Sequence, residues 1–389
     1  MEFSFTQEQQ MIRETTAAFL AQNSSSAAVR AAMVTEPGYD ETLWRRVCDE
    51  MFWQAIHIPE EYGGMGLGYV ELVAMLEQMG KTLFCSPFYA TACLGANAVL
   101  VAGSEQQKGL FLPRIVAGET ATLAWTGTNG RWDASTIEAT LQRDANELVL
   151  NGICRYVPDG HSAAILVIAA RQPGTEAEEG VSLLVLDADT PGIERQWLPT
   201  MDQTRKQAQL IFTDVRVPAD AVLGEYAQAW NQLSTIIDLA TVAIAADQVG
   251  GAQQSLDSTV AYLQERVQFG RVIASYQAVK HKAADMMLKC EAARSALYYG
   301  ACIADETLRG GALAIELPEA ASIAKAYCSD AYFFNAGCGI QLHGGVGFTA
   351  EYDIQLYFKR AKSTETFLGN AAWHRERIAA QLLDSEVNA

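Results

Sequence analysis

The sequence predicts an α+β protein in three parts: a helical N-terminal domain over 1–119, a small β domain over 120–226 and a four-helix bundle over 227–389. Three observations predict it. Helical periodicity fills both ends; between about Thr120 and Gly224 it gives way to short β-branched runs parted by turn residues; and one compact turn, ERVQFGRVIASYQAVKH (Glu265 to His281), interrupts the helical C-terminal half. A chain of 389 residues, half of them apolar, is long enough for two or three cores.

Thr6, followed by Glu8 and Gln9, marks a helix start before Met11, Ile12, Ala18 and Phe19, and Leu43 to Ala55 repeats the amphipathic period. IPEEYGGMGLG (Ile58 to Gly68) is too rich in glycine for helix or strand and reads as a loop. Val70 to Met79, Ala90 to Ala102 and Gln106 to Ala117 supply further helices. Strands are expected at Thr136 to Gln142, Glu147 to Leu150, Ala163 to Ala169, Val181 to Leu186 and Ala208 to Phe212, with Asn151-Gly152 and Asp159-Gly160 as turns. RQPGTEAEEG (Arg171 to Gly180) is a solvated excursion between two of them. Asp238 to Gln264 and Ala278 to Glu306 read as helices, the second with a seam of Val279, Ala283, Met286, Cys290, Ala293 and Leu297. Gly310-Gly311 marks a connection, and Pro318 sits where a helix begins.

The net charge of -18 argues against nucleic acid or an anionic membrane as partner, since both need a basic face. The N-terminus lacks a basic region followed by an apolar core, so a soluble cytoplasmic protein is expected. The eight cysteines form no CxxC pair and the five histidines are dispersed, which points to buried small hydrophobes rather than a metal or disulfide framework.

The interrupting turn carries Arg266, Phe269, Gly270 and Gln277, a cation, an aromatic plate, a permissive backbone point and an amide. GIQLHGGVGFTAEYD (Gly339 to Asp353) adds Gln341 and the glycines Gly344, Gly345 and Gly347, whose backbone allows close approach of a ligand and, at a helix start, favours an anion. With IPEEYGGMGLG, EQQKGLFLPRIVAGE and the helix–β–helix order, these stretches resemble the acyl-CoA dehydrogenase family over essentially the whole chain. The resemblance implies that Arg266, Phe269 and Gln277 hold the pyrophosphate and adenine of FAD across a subunit interface. It also implies that Gln341, Gly344 and Gly345 bind the adenine-side half of a neighbour's FAD. A homo-oligomer or an α2β2 hetero-oligomer with a related subunit follows from it.

In the β domain the resemblance places a flavin edge at LAWTG (Leu123 to Gly127) and RYVPDG (Arg155 to Gly160), with Thr126 bonded to the ring and Tyr156 covering one face. Two departures stand out: Thr126 is followed by Gly127-Thr128-Asn129-Gly130 where the family has Glu-Pro and a Gly-rich turn, and Pro158 replaces a flavin-contacting threonine.

The family's reaction removes a proton next to a thioester while hydride passes to flavin N5, and a separate electron-transfer flavoprotein takes the electrons. The proton needs a carboxylate base. Both usual positions are without one here: Leu368 stands in the loop before the last helix, and Ala240 on the first bundle helix. Asp247, seven residues after Ala240 and so about 10 Å further along the same side of the helix, and Glu365 are the acids left as candidates. The pairing of YFKRAK-S-x-E with RVQFG and SYQAVKH is similar to a bacterial steroid side-chain-degrading branch, which implies an acid on the first bundle helix as base, here Asp247. Three readings stay open: the first is a self-sufficient dehydrogenase of a bulky acyl-CoA, the second a non-catalytic partner subunit that completes the FAD site. A flavoprotein of this fold that uses oxygen is the third.

Overall fold

The computed structural model describes residues 5–144 and 147–387. Among these residues eleven α-helices and ten strands follow one another in the order helices, sheet, helices. The N-terminal helices are α1 (Gln7–Asn23), α2 (Ser26–Met33), α3 (Glu41–Arg46), α4 (Tyr69–Lys81), α5 (Asn97–Ala102) and α6 (Glu105–Val116). Then come β1 (Ala121–Ala124), β2 (Thr140–Asp144), β3 (Glu147–Pro158), β4 (Ile165–Arg171), β5 (Val181–Asp187), β6 (Ile193–Leu198), β7 (Gln207–Val217) and β8 (Val222–Leu223). Last are α7 (Trp230–Glu265), β9 (Val267–Gln268), β10 (Arg271–Val272), α8 (Gln277–Leu308), α9 (Leu317–His343), α10 (Ile354–Thr366) and α11 (Ala371–Val387). Local signals account for several boundaries. Thr6 caps α1 in a reciprocal box with Gln9, Ser104 does the same with Gln107 for α6, and Pro318 lies in the first turn of α9.

Packing groups the chain into two compact units, one of residues 1–31, 69–84 and 241–389, the other of 32–68 and 85–240. The divisions expected at 119 and 226 follow changes of secondary structure, whereas the units follow the proximity of backbone segments and divide the N-terminal helices between them.

In the sheet-bearing unit the strand order is β6-β7-β3-β2-β4-β5-β8, with β1 parallel to β4. β4 is buried along its whole length and β5 in all but its last residue, as their unbroken apolar runs require. β6, IERQWL, is an exposed edge strand whose polar texture gives no strand signal. Asn151-Gly152 is not a turn: it lies inside β3, where the register against β7 slips between Leu150 and Gly152 and Gly152 takes φ +120°. The Asn151 amide is engaged with Asp214 on β7 instead of closing a hairpin. Asp159-Gly160 does turn the chain, with Asp159 at φ +50° and the Gly160 N–H bonded to Val157 O.

The helical unit is built on α7, α8, α9, α10 and α11 with α1 and α4. On α8 the buried seam runs through Met286, Cys290, Ala293 and Leu297; Val279 and Ala283, nearer the hairpin, are only partly covered. The small residues of α7 serve helix packing: a Cβ on Gly250 would lie 1.9 Å from Glu77 O on α4, and one on Gly251 2.2 Å from the Tyr332 ring on α9. α7 is long and apolar enough to cross a membrane, yet 83% of its apolar window is buried in the fold, as in a core helix. Gly250→Ala should therefore cost about 2–3 kcal/mol in urea unfolding. Gly109→Ala on α6, where a Cβ meets nothing within 4 Å, should raise stability by about 0.5–1 kcal/mol.

Candidate functional site

β1 runs out at Ala124, and Thr126 is sewn to β3 by two bonds. The Arg155 N–H donates to Thr126 O at 2.8 Å, and the Thr126 hydroxyl donates to Arg155 O at 2.5 Å. Opposite Thr126 the register of β3 slips again, between Cys154 and Val157. Tyr156 sits in that bulge at φ +58°, a conformation a bulky residue holds only where its surroundings enforce it. Tyr156 is half-buried and Thr126 buried. Pro158 lacks the donor of the residue it replaces, but its carbonyl accepts the Thr122 hydroxyl at 2.6 Å and so fixes the strand to β1.

The altered loop after Thr126 has its own supports. Gly127 N–H donates to Thr136 Oγ1, and a Cβ there would lie 2.5 Å from Thr136 O, so the two ends of the loop touch. Glu138 accepts from the N–H and hydroxyl of Thr128, each at 2.9 Å. Arg171, on β4, donates to Ala134 O and Glu179 O, both at 2.6 Å, tying this loop to the solvated excursion.

In the helical unit the interrupting turn is a β-hairpin. β9 and β10 pair antiparallel across Phe269 and Gly270 at φ +53° and +79°, the two left-handed residues of a type I′ turn. Phe269 at the tip is 92% exposed, and Arg266 and Gln277 are exposed as well, Gln277 as the first residue of α8. Gln341, Gly344 and Gly345 are likewise exposed, at the end of α9. The glycines thus close a helix rather than open one. The positive end of an α-helix dipole, expected there for an anion, is absent: the glycines open only a three-residue tight turn, Gly344–Val346, and α10 starts at Ile354. Gly344 takes φ +66° and ψ -142°, which only glycine adopts freely, and no atom lies within 4 Å of a Cβ on Gly344 or Gly345. Tyr262 and His343, which the sequence reading did not single out, join the two motifs: their rings stack at 4.3 Å, and the tyrosine hydroxyl donates to His343 O at 3.3 Å. The signal was available in their positions, four residues before Arg266 and one before Gly344.

Each of the two candidate acids is ion-paired. Asp247, 1% exposed, pairs with the equally buried Arg360 of α10 at 3.0 Å. Neutralising either member of such a pair leaves the other charge uncompensated at a cost of about 3–5 kcal/mol, so the geometry is that of a structural tie. Glu365 lies in the last turn of α10, its carboxylate 2.8 Å from Lys362 and its carbonyl accepting from Lys325 at 3.1 Å. The two usual base positions are buried and apolar. Leu368, at φ +59°, gives its carbonyl to His374 Nε2 at 2.9 Å. Ala240, in the sheet-bearing unit, gives its carbonyl to the Tyr89 hydroxyl at 3.0 Å.

The loop around Leu368 is held by Lys325. Its ammonium, completely buried, donates to Gly369 O at 2.8 Å, Glu365 O at 3.1 Å and Ser329 Oγ at 3.0 Å. Burial pushes Lys325 down to about 7, and burial, helped by the Lys325 charge, pushes His374 down to about 3.

The C-terminal domain of acyl-CoA dehydrogenases matches residues 229–383, and the N-terminal domain of the same enzymes matches residues 6–119. The chain belongs to the acyl-CoA dehydrogenase family. It is 32% identical to the acyl-CoA dehydrogenase IpdE2 of Mycolicibacterium smegmatis over 97% of this chain and 99% of that one. Its fold is similar to butyryl-CoA dehydrogenase from Megasphaera elsdenii, with a TM-score of 0.88 at 26% identity over 98% of this chain and 100% of that one. It is similar also to a Tcur3481–Tcur3483 steroid ACAD variant, with a TM-score of 0.86 at 29% identity over 98% and 99% of the two chains. The protein is thus an oxidoreductase of the acyl-CoA dehydrogenase family, whose members generally bind FAD. The residues present fit that cofactor in kind: a half-buried tyrosine and a hydroxyl at the β-domain edge, and an exposed hairpin and open glycine backbone in the helical unit.

Proposed function

We propose that the chain serves FAD-dependent α,β-dehydrogenation of an acyl-CoA thioester as one of two related subunits, with the base carboxylate coming from the other. FAD, when bound, supplies the hydride acceptor. Tyr156 covers the ring, and Thr126, its proton already given to Arg155 O, keeps lone pairs for a ring N–H. Arg266, Phe269 and Gln277, with Gln341, Gly344 and Gly345, hold the nucleotide half where two subunits meet, and their exposure in the single chain supports this.

The observation that carries the division of labour is the fate of the acids: Leu368 and Ala240 have no carboxyl group, and Asp247 is tied to Arg360. A second reading, a homo-oligomer with Asp247 as base, is favoured by the place of that residue on the first bundle helix. The likeness to a steroid ACAD supports a steroid side-chain or other bulky acyl-CoA as substrate, and the likeness to a structure named for an electron-transferring flavoprotein supports such a protein as acceptor. The test is the absorbance spectrum and native mass of the chain purified alone and with a related subunit encoded beside it. Full flavin absorbance and turnover are expected only from the pair. A yellow homo-oligomer that dehydrogenates acyl-CoA by itself would favour the second reading.

A further inference from the structure

Arg155 lies in the β3 bulge between Thr126, to which its backbone is bonded twice, and Tyr156. In a regular strand neighbouring side chains point to opposite faces. Here the Arg155 guanidinium lies 5.4 Å from the centroid of the Tyr156 ring, so the bulge has put both groups on one side. Nε is sealed from solvent and, among the described residues, has no acceptor. Glu138, an acid near this edge, accepts from Thr128. A guanidinium is always charged, offers five donors in a planar fork and is costly to leave unsatisfied where it is covered. Such a fork pairs best with two oxygens of a carboxylate or a phosphate.

We propose that Arg155 is an oxyanion-binding residue of this edge, taking a phosphate or carboxylate of a bound small molecule through its guanidinium fork. The proposal rests on the reading of Thr126 and Tyr156 as a flavin edge. The oxyanion has two sources, the pyrophosphate of the cofactor or a carboxylate carried by the acyl group. Both meet the same guanidinium, and binding experiments separate them.

The assembled protein, with its partner subunit if flavin requires one, is compared with Arg155→Gln and Arg155→Lys, folding being checked by circular dichroism and melting. Dissociation constants are measured for FAD and for riboflavin, which has no phosphate. They are measured also for glutaryl-CoA and butyryl-CoA, which differ by a terminal carboxylate, through the flavin spectrum. Loss of one charge-assisted fork should weaken binding by about tenfold or more in Arg155→Gln. If FAD weakens and riboflavin does not, the cofactor is the source; if glutaryl-CoA weakens and butyryl-CoA does not, the substrate is. Arg155→Lys, which keeps the charge without the fork, should fall between. Four constants unchanged within twofold, or equal losses within each pair, would overturn the proposal. Absence of flavin from the wild-type assembly would instead remove the flavin-edge reading itself, and the proposal with it.

Discussion

Arg360→Met is expected to destabilise the protein by about 3–5 kcal/mol in urea unfolding, among the largest losses a single substitution produces here. Asp247 and Arg360 are each 1% exposed and 3.0 Å apart, so removing the cation strands a carboxylate inside the helical unit. The double variant Asp247→Leu/Arg360→Met should recover most of the loss, because replacing a buried pair by apolar groups of similar volume is often neutral or stabilising. If the double variant is as unstable as the single one, the pair is not the structural tie described above.

Lys325→Met is expected to cost about 2–4 kcal/mol, since it removes the donor shared by the carbonyls of Glu365 and Gly369 and by Ser329. It also has a pH signature. With Lys325 at about 7 in the folded chain against its ordinary 10.5, the unfolded chain binds the extra proton between those values. The Lys325 contribution to stability therefore rises with pH from about 7 to 10.5, by at most ~1.4 kcal/mol per pH unit, and Lys325→Met should flatten that part of the profile. His374, at about 3 against 6.5, makes the unfolded chain the stronger proton binder in that range as well, so stability should fall as pH drops from 6.5 toward 3. Unfolding measured across pH 4–9 checks both slopes.

Much of this was legible because periodicity and capping are local. The Thr6 start, the seam from Met286 to Leu297 and the turn at Asp159-Gly160 depend on near neighbours. β6 was not legible because an exposed edge strand needs no apolar alternation, and Asn151-Gly152 misled because a bulge and a hairpin use the same residues. The motif residues Arg266, Phe269, Gln277, Gln341, Gly344 and Gly345 stood out through residue type, while the stacking of Tyr262 on His343 that joins them is a long-range contact. Asp247 shows the limit most clearly. A carboxylate in an apolar helix signals either a base or a buried pair, and the residue that decides, Arg360, is 113 positions away. That same arginine lies in the YFKRAK stretch that carries the resemblance to the steroid-degrading branch.

The most direct test of the proposed division of labour is flavin reduction by acyl-CoA in the complete complex carrying Asp247→Leu/Arg360→Met on this chain. If the base belongs to the related subunit, the rate should stay within about threefold of wild type, because no proton acceptor has been removed. A fall of about 10²–10⁴ with fold and flavin content intact is what loss of a general base produces, and it would return the catalytic role to Asp247.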